Sequence, residues 1–117
     1  MVRPAHDNAA LKGVRVLELT DQIGQYAGKL LADMGADVIK IEPVTGSSVR
    51  HLGPFEHDVP DANRSLTFWH YNTSKRGITL NLETEDGKRL FRDLVKTADL
   101  VIESFRPGVL ERLGYGP

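Results

Sequence analysis

The sequence contains one strand–helix–strand pattern twice, and this repetition limits the possible folds more than any other feature. Residues 14–19 and 36–42 are short runs of β-branched and leucine residues, which are typical of buried strands. Between them Gly35 supplies a stop for a helix whose apolar stripe consists of Tyr26, Ala27, Leu30, Leu31 and Met34. We expect this stripe to be the buried face of the helix.

The second unit follows the same order. Residues 78–82 are predicted to form a strand, Thr84 to cap a helix, and residues 99–103 to form the last strand. The stripe of the intervening helix consists of Leu90, Phe91, Leu94, Val95 and Ala98. Strands that are joined by single helices are expected to lie parallel with right-handed crossovers. The sequence therefore predicts an α/β fold, a Rossmann-like open parallel sheet of about four strands built from two βαβ units.

Residues 43–65 separate the two units. They are rich in Gly, Pro, Ser and Asp and follow neither the helical nor the strand period, so we predict a long loop. This loop is either a solvated connector or a functional segment. The 117 residues have the length of one domain, so the predicted domain is 1–117, with residues 1–10 flexible.

Charge and composition exclude several classes of function. The 15 Lys and Arg residues against 16 Asp and Glu give no basic excess for nucleic acid or for a membrane surface. The absence of cysteine excludes a disulfide scaffold and a thiolate nucleophile. The spacing of the histidines is not that of a metal site, so we predict no metal; they are His6, His51, His57 and His70. No segment resembles a signal peptide or a membrane span, and a cytoplasmic location is expected.

Ligands of open parallel sheets bind beyond the carboxyl ends of the strands. Those ends are predicted at residues 20–25, 42–48, 82–84 and 103–108. Ser104 and Phe105 would emerge there, with a ring on which a purine could stack. Arg106 and Arg112 could reach phosphates by bidentate hydrogen bonds. In the alternative interpretation Phe105 packs on the next helix and both arginines are solvated.

Lys75 and Arg76 are a second group of candidates, because two cations stand directly before the third predicted strand. Taken alone, such a pair is typical of surface charge. The first turn offers Gly24-x-x-x-Gly28 instead of Gly-x-Gly-x-x-Gly, so NAD binding is disfavoured even though Glu42 closes the second strand.

Four motifs, in this order, closely resemble the amino-terminal part of the class III CoA-transferases, the CaiB/BaiF family. They are LKGVRVLELT (11–20), LLADMGADVIKIEP (30–43), NTSKRGITLNL (72–82) and ESFRPGVLERLG (103–114). The resemblance covers nearly the whole chain from Leu11 onward. It implies a Rossmann-like large domain that binds coenzyme A, in an enzyme with interlocked subunits.

The resemblance also implies roles for individual residues. Lys75 would face the CoA phosphates, Ser104 and Phe105 would hold the adenine end, and Arg112 would pair with the nucleotide phosphates. The first turn is one residue shorter than the family's Ala-Gly-Pro turn, and Gln22 and Gln25 are candidate contacts of the thiol end. The full set of candidate CoA contacts is Lys75, Arg76, Ser104, Phe105, Arg106, Arg112, Gln22 and Tyr71.

In the family, the catalytic aspartate lies further along than Pro117. The resemblance therefore implies a CoA-binding portion, either a fragment or one subunit of a split enzyme, with an incomplete version of the family's full domain. The substrates would be an acyl-CoA and a small carboxylic acid, and the partner a second copy or a chain that carries the aspartate. The alternatives are an α-methylacyl-CoA racemase-type relative and a non-catalytic interaction or regulatory subunit.

Overall fold

The computed structural model describes residues 9–114, which form a four-stranded parallel sheet with helices on both faces. The predicted α/β class and the parallel sheet are confirmed. In chain order the elements are β1 (Arg15–Leu19), α1 (Gln25–Asp33), β2 (Asp37–Glu42), α2 (Leu66–Tyr71), β3 (Arg76–Thr79), α3 (Glu85–Val95), β4 (Leu100–Glu103) and α4 (Val109–Arg112).

The strand order in the sheet is β3-β2-β1-β4. The chain leaves β1 toward β2 and β3, then returns through α3 to place β4 on the other side of β1. Val16 of β1 is accordingly paired with Val38 on one side and with Leu100 on the other. The gap between the carboxyl ends of β1 and β4 is therefore a topological switch point, where ligands of open α/β sheets bind.

Alternating strand residues supply two apolar clusters, one on each face of the sheet. On one face Phe91 of α3 packs against Leu17, Leu19, Ile39 and Ile41. On the other face Ala32 of α1 and the following Ala36 pack against Val16 and Val38. The apolar residues of β1 and β2 are therefore buried on both faces of the sheet.

The orientation predicted for α1 is wrong. Tyr26, Leu30 and Met34, expected on the buried face, are 53%, 44% and 49% exposed. The buried positions of this helix are Gln25, Gly28 and Ala32. Small residues at the contact allow α1 to lie close to the sheet, so the larger apolar side chains point away from it. Similarly in α3, Phe91 is buried while Leu90 and Val95 of the predicted stripe remain exposed.

The third strand begins and ends earlier than the predicted 78–82. The Leu80 N–H still donates to Glu42 O at 3.0 Å, beyond the end of β3. The chain then turns at Asn81, whose side-chain oxygen accepts from the Glu83 N–H at 3.0 Å. Thr84 follows and its hydroxyl accepts from the Gly87 N–H at 3.0 Å, which confirms the predicted helix cap.

Residues 43–65 contain two short 3₁₀ turns and are tied to the sheet through Arg50. The Arg50 guanidinium donates to both carboxylate oxygens of Glu42 at 2.7 Å and to Ala62 O at 3.0 Å. It also lies 3.8 Å from the centre of the Phe68 ring. The flexibility predicted for residues 1–10 falls mostly outside the described residues and stays a prediction, as does the domain range 1–117.

Candidate functional site

A cavity of about 580 Å³ opens at the carboxyl edge of the sheet. Each of the four strands contributes to it through the residues that end or follow the strand, as the sequence predicted for a ligand site. Its apolar lining consists of Leu19, Ile41, Pro43, Val44, Leu80, Leu82, Phe105, Val109 and Leu113. We call this space the switch-point cavity, because the turns after β1 and β4 meet there.

Phe105 and Ser104 form the wall of the switch-point cavity that follows β4. The Ser104 hydroxyl accepts a hydrogen bond from the Asp21 N–H at 3.3 Å, which ties the turn after β1 to the turn after β4. The Phe105 N–H donates to the Glu103 carboxylate at 2.7 Å. Phe105 is 38% exposed, so its ring has surface available to a planar group.

Hydroxyl groups also hold a carboxylate of the turn after β1. Asp21 accepts from the hydroxyls of Ser47 and Ser48, the latter at 2.6 Å. Burial alone would raise the pKa of Asp21, but these bonds and the backbone N–H groups of Ser48 and Val49 outweigh it. The pKa of Asp21 is therefore lowered, and the carboxylate fixes the start of the 43–65 segment against the first turn.

Glu42 is the second carboxylate of the lining. Burial would raise its pKa, but the bonds from Arg50 and from the Ser47 N–H at 2.7 Å outweigh burial, and the pKa of Glu42 is lowered. Hydrogen bonding to Glu42 also raises the pKa of Arg50. Both partners are consequently charged at neutral pH, and Arg50 compensates the charge of Glu42.

Within residues 9–114, no lysine or arginine lines the switch-point cavity. Its polar groups are hydroxyls, one amide and the carboxylates of Asp21, Glu42 and Glu83. This lining suits an uncharged ligand group with a planar or apolar part and hydrogen-bonding edges. It does not suit a phosphate, which needs donors and positive charge.

Six of the eight predicted contacts lie in three separate places. Only Ser104 and Phe105 line the switch-point cavity. Arg106 and Arg112 are exposed just beyond it, on the chain that leads into α4 and on α4 itself. Gln22 and Tyr71 line a second, more open space of about 660 Å³ between the start of α1 and α2, the α1–α2 cavity. There Tyr71 packs edge-to-face on the Tyr26 ring at 6.2 Å.

Arg76 lies at the opposite edge of the sheet, at the start of β3. Its guanidinium donates to both carboxylate oxygens of Asp37 at 2.8 and 2.6 Å, and Arg15 donates to the same carboxylate at 3.0 Å. Burial would raise the pKa of Asp37, but the two arginines outweigh it and lower that pKa. Arg76 therefore ties β3 to β2 at the amino edge, and its contact with CoA stays a prediction.

Lys75 is buried inside the protein, with its side chain 2% exposed. Its ammonium lies 2.7 Å from Glu18 Oε1 and donates to Asn72 Oδ1 at 2.8 Å and to Gln25 O at 2.9 Å. Burial lowers the pKa of Lys75 to about 8, although the Glu18 carboxylate acts in the opposite direction. The contact of Lys75 with phosphate stays a prediction, and the observed partners are all protein oxygens.

The sequence-based list omitted the carboxylates that line the switch-point cavity and the buried carboxylate of Glu18. Asp21, Glu42 and Glu83 all stand at strand ends that the sequence had assigned to the ligand edge, so their positions were the available signal. Glu18 and Lys40 were recognisable as charges inside otherwise apolar strands. Such charges are buried only when they are paired.

Within residues 9–114 no helix is long and apolar enough to cross a membrane. Over the same residues no three His, Cys, Asp or Glu side chains are grouped so that they could hold a metal ion.

Comparison with known proteins agrees with the sequence motifs. The model of CoA-transferase family III matches residues 11–117. The chain is 43% identical over 100 residues to the BbsE subunit of succinyl-CoA:(R)-benzylsuccinate CoA-transferase from Thauera aromatica, covering 86% of this chain and 24% of that protein. It is 45% identical over 107 residues to formyl-CoA:oxalate CoA-transferase from Streptomyces avermitilis, covering 91% of this chain and 25% of the relative.

The fold has solved counterparts at similar identity. A CaiB/BaiF family protein from Brucella suis superposes with a TM-score of 0.82 at 42% identity, over 93% of this chain and 29% of that one. The present chain thus spans about a quarter of the length of the curated relatives that it matches.

Proposed function

Because this chain belongs to CoA-transferase family III, we propose that it is the CoA-binding portion of an enzyme that moves CoA between an acyl-CoA and a small carboxylic acid. The names of the similar proteins support this class of reaction. The chain spans 24% and 25% of the length of those two relatives. The proposed activity is therefore that of a whole enzyme about four times as long as the matched region.

The observation that carries the CoA-binding proposal is the position of Phe105 in the wall of the switch-point cavity, between the ends of β1 and β4, where none of the described lysines or arginines contributes to the lining. We propose that adenine stacks on this ring and that its edges and the ribose meet the polar groups of Thr20, Asn81 and Ser104. An uncharged purine matches the lining, whereas a phosphate placed there would face Asp21, Glu42 and Glu83.

The phosphates of CoA then require cations outside the cavity. Arg106 and Arg112 are exposed near the wall formed by Phe105 and Val109, and a guanidinium can bind phosphate by two parallel hydrogen bonds. We propose that these two arginines bind the pyrophosphate and the 3′-phosphate.

The thiol end of CoA is assigned to the α1–α2 cavity. Gln22 and Tyr71 offer an amide and a phenol there, which suit the neutral amide groups of the pantetheine arm. The proposal includes a second protein component, either another copy of the chain or a chain that carries the catalytic aspartate. It also includes a cytoplasmic location.

The test is calorimetric titration with CoA, adenosine and pantetheine. Phe105→Ala should weaken CoA and adenosine binding by about 1–3 kcal/mol, which is the usual value of stacking a base on an aromatic side chain. Arg112→Ala should weaken CoA binding by about 1.5–3 kcal/mol and leave adenosine unchanged, because only CoA carries phosphates. Arg89→Ala is the matched control, since Arg89 is an exposed arginine on α3, away from the cavity.

The control should bind CoA as the original protein does. Equal affinity for CoA in the original protein and in both site variants would contradict the proposed contacts. No binding of CoA by the original chain would contradict the proposal that this portion holds the ligand by itself.

A further inference from the structure

Two lysines share one buried carboxylate beneath the turn that follows β1. Glu18 is 0% exposed, and the side chains of Lys40 and Lys75 are each 2% exposed. Lys40 Nζ donates to Glu18 Oε2 at 3.0 Å, and Lys75 Nζ lies 2.7 Å from Oε1. We call these three residues the Glu18 clamp. Since a buried charge is costly unless it is compensated, the three side chains depend on one another.

The clamp also holds both ends of the turn. Lys40 donates to the backbone oxygen of Thr20 at 3.2 Å, and Lys75 donates to that of Gln25 at 2.9 Å. The Thr20 hydroxyl donates to Glu18 as well. The carbonyl groups at the two ends of the turn, those of Thr20 and Gln25, are therefore bound by Lys40 and Lys75. Both lysines in turn contact the carboxylate of Glu18.

The same turn separates the two cavities of the candidate site. Thr20 and Asp21 line the switch-point cavity, while Gln22 and Gln25 line the α1–α2 cavity. A change in the path of residues 20–25 would therefore alter both cavities at once.

The ammonium of Lys75 is enclosed by protein oxygen atoms. It donates hydrogen bonds to Asn72 Oδ1 and Gln25 O, and its contact of 2.7 Å with Glu18 Oε1 is an ion pair without hydrogen-bond geometry. Asn72 is itself held, because its side-chain NH₂ donates to Gln25 Oε1 at 3.2 Å and to Phe68 O at 2.9 Å. A phosphate could reach this lysine only if the clamp were first broken.

We propose that Lys75 is a positioning residue, which together with Glu18 and Lys40 holds residues 20–25 in the conformation that shapes both cavities, and which acts on a ligand only through this turn. The role of the clamp in CoA binding rests on the proposed function. Its role in the conformation of the turn does not.

The first arm of the test needs no ligand. Amide hydrogen exchange is measured in the original protein, in Lys75→Met and in Lys88→Met, the control on α3. We expect exchange of residues 20–27 to rise at least about tenfold in Lys75→Met and to stay unchanged in the control, because the turn loses an anchor. Unchanged exchange in Lys75→Met would overturn the proposal. If that variant does not fold, Asn72→Ala removes one of the three oxygen atoms around Lys75 and should raise exchange in the same segment.

The second arm compares CoA and adenosine binding at low and high salt. A positioning residue predicts that Lys75→Met weakens adenosine binding as well as CoA binding, and CoA binding by at least as large a factor because CoA occupies both cavities. It also predicts an unchanged salt dependence of CoA binding, since the variant removes no charge that contacts the phosphates. Weaker CoA binding with unchanged adenosine binding and a smaller salt dependence would show a direct phosphate contact and overturn the proposal. Unchanged binding of both ligands would overturn it too.

If the original protein binds neither ligand, the proposed function fails while the exchange measurement still tests the clamp.

Discussion

Lys75 Nζ lies 2.7 Å from Glu18 Oε1, in a pair whose side chains are 2% and 0% exposed. In the sequence, Lys75 stands among small polar residues and has the pattern of a surface charge. In the structure, its side chain is among the most buried charged groups of the described residues. The cause is the path of the chain after α2, which places Asn72 beside the first turn of α1. The pairing has consequences for stability that can be measured separately from any ligand.

The first prediction concerns pH. Burial lowers the pKa of Lys75 to about 8 in the folded protein, while an unfolded lysine titrates near pH 10.4. Between these two pH values the unfolded chain binds more protons than the folded protein, so the free energy of unfolding rises with pH. The contribution of Lys75 to it is therefore smallest below about pH 8 and rises up to about pH 10.4. The slope is at most about 1.4 kcal/mol per pH unit. Urea unfolding of the original protein and of Lys75→Met across this range measures it. The free energy of unfolding of the original protein minus that of Lys75→Met should increase with pH.

A difference that stays constant with pH would contradict the lowered pKa of Lys75. The control Lys88→Met should show the same pH dependence as the original protein.

The second prediction concerns the contact between α1 and the clamp. A Cβ atom at Gly28 would lie 1.7 Å from Glu18 Oε1, and the carboxylate cannot move because both lysines hold it. We expect Gly28→Ala to lower the free energy of unfolding by about 1–3 kcal/mol, although alanine is the better helix former. Gly77→Ala is the matched control, since a Cβ there would meet no atom within 4 Å. Equal stability of the two variants in urea would contradict the close packing at Gly28.

The third prediction concerns Arg50, which joins Glu42 to the 43–65 segment. Arg50→Met removes the bidentate pair and leaves the Glu42 carboxylate, whose side chain is 9% exposed, with the Ser47 N–H as its remaining partner. We expect a loss of about 2–4 kcal/mol in the free energy of unfolding, near the usual cost of breaking a buried pair. Limited proteolysis should show faster cleavage within residues 43–65. Arg89→Met, at an exposed ion pair, should change the free energy of unfolding by no more than about 0.5 kcal/mol and should leave the rate of cleavage unchanged. A resistant segment in Arg50→Met would show that Arg50 does not anchor it.

Sequence periodicity predicted the parts of this fold that depend on local pattern. The two strand–helix–strand units gave the parallel sheet, and the rule for strand carboxyl ends led to Ser104 and Phe105, which line the cavity. The face that α1 buries could not be predicted in the same way. An apolar stripe indicates which side chains avoid water but not which surface they meet, and here Gly28 and Ala32 take the contact with the sheet.

The charges of the site were harder to predict than its apolar parts. Lys75, Arg76 and Arg112 are similar cations in a sequence, yet one is buried on Glu18, one is paired with Asp37 at the other edge, and one is exposed on α4. Their surroundings come from chain segments that are distant in sequence, and no local period reports such contacts.

The last prediction concerns the outward face of α1. Tyr26 and Leu30 of α1 and Met34 at its C-terminal end are 53%, 44% and 49% exposed and follow one another at helical spacing. Ile23, in the turn before the helix, is 81% exposed. An apolar stripe of this kind, on a chain that spans about a quarter of its relatives' length, is expected to bind another apolar surface.

We expect the isolated chain to self-associate through this stripe, and Leu30→Lys to shift sedimentation toward the monomer at equal protein concentration. Leu90→Lys is the matched control, because it makes the same change at a leucine of α3 that is 46% exposed and lies outside this stripe. Circular dichroism should show that both variants keep the fold, since neither residue belongs to the core clusters. A monomer at every concentration of the original chain, or equal dissociation by the two variants, would show that the stripe does not mediate association.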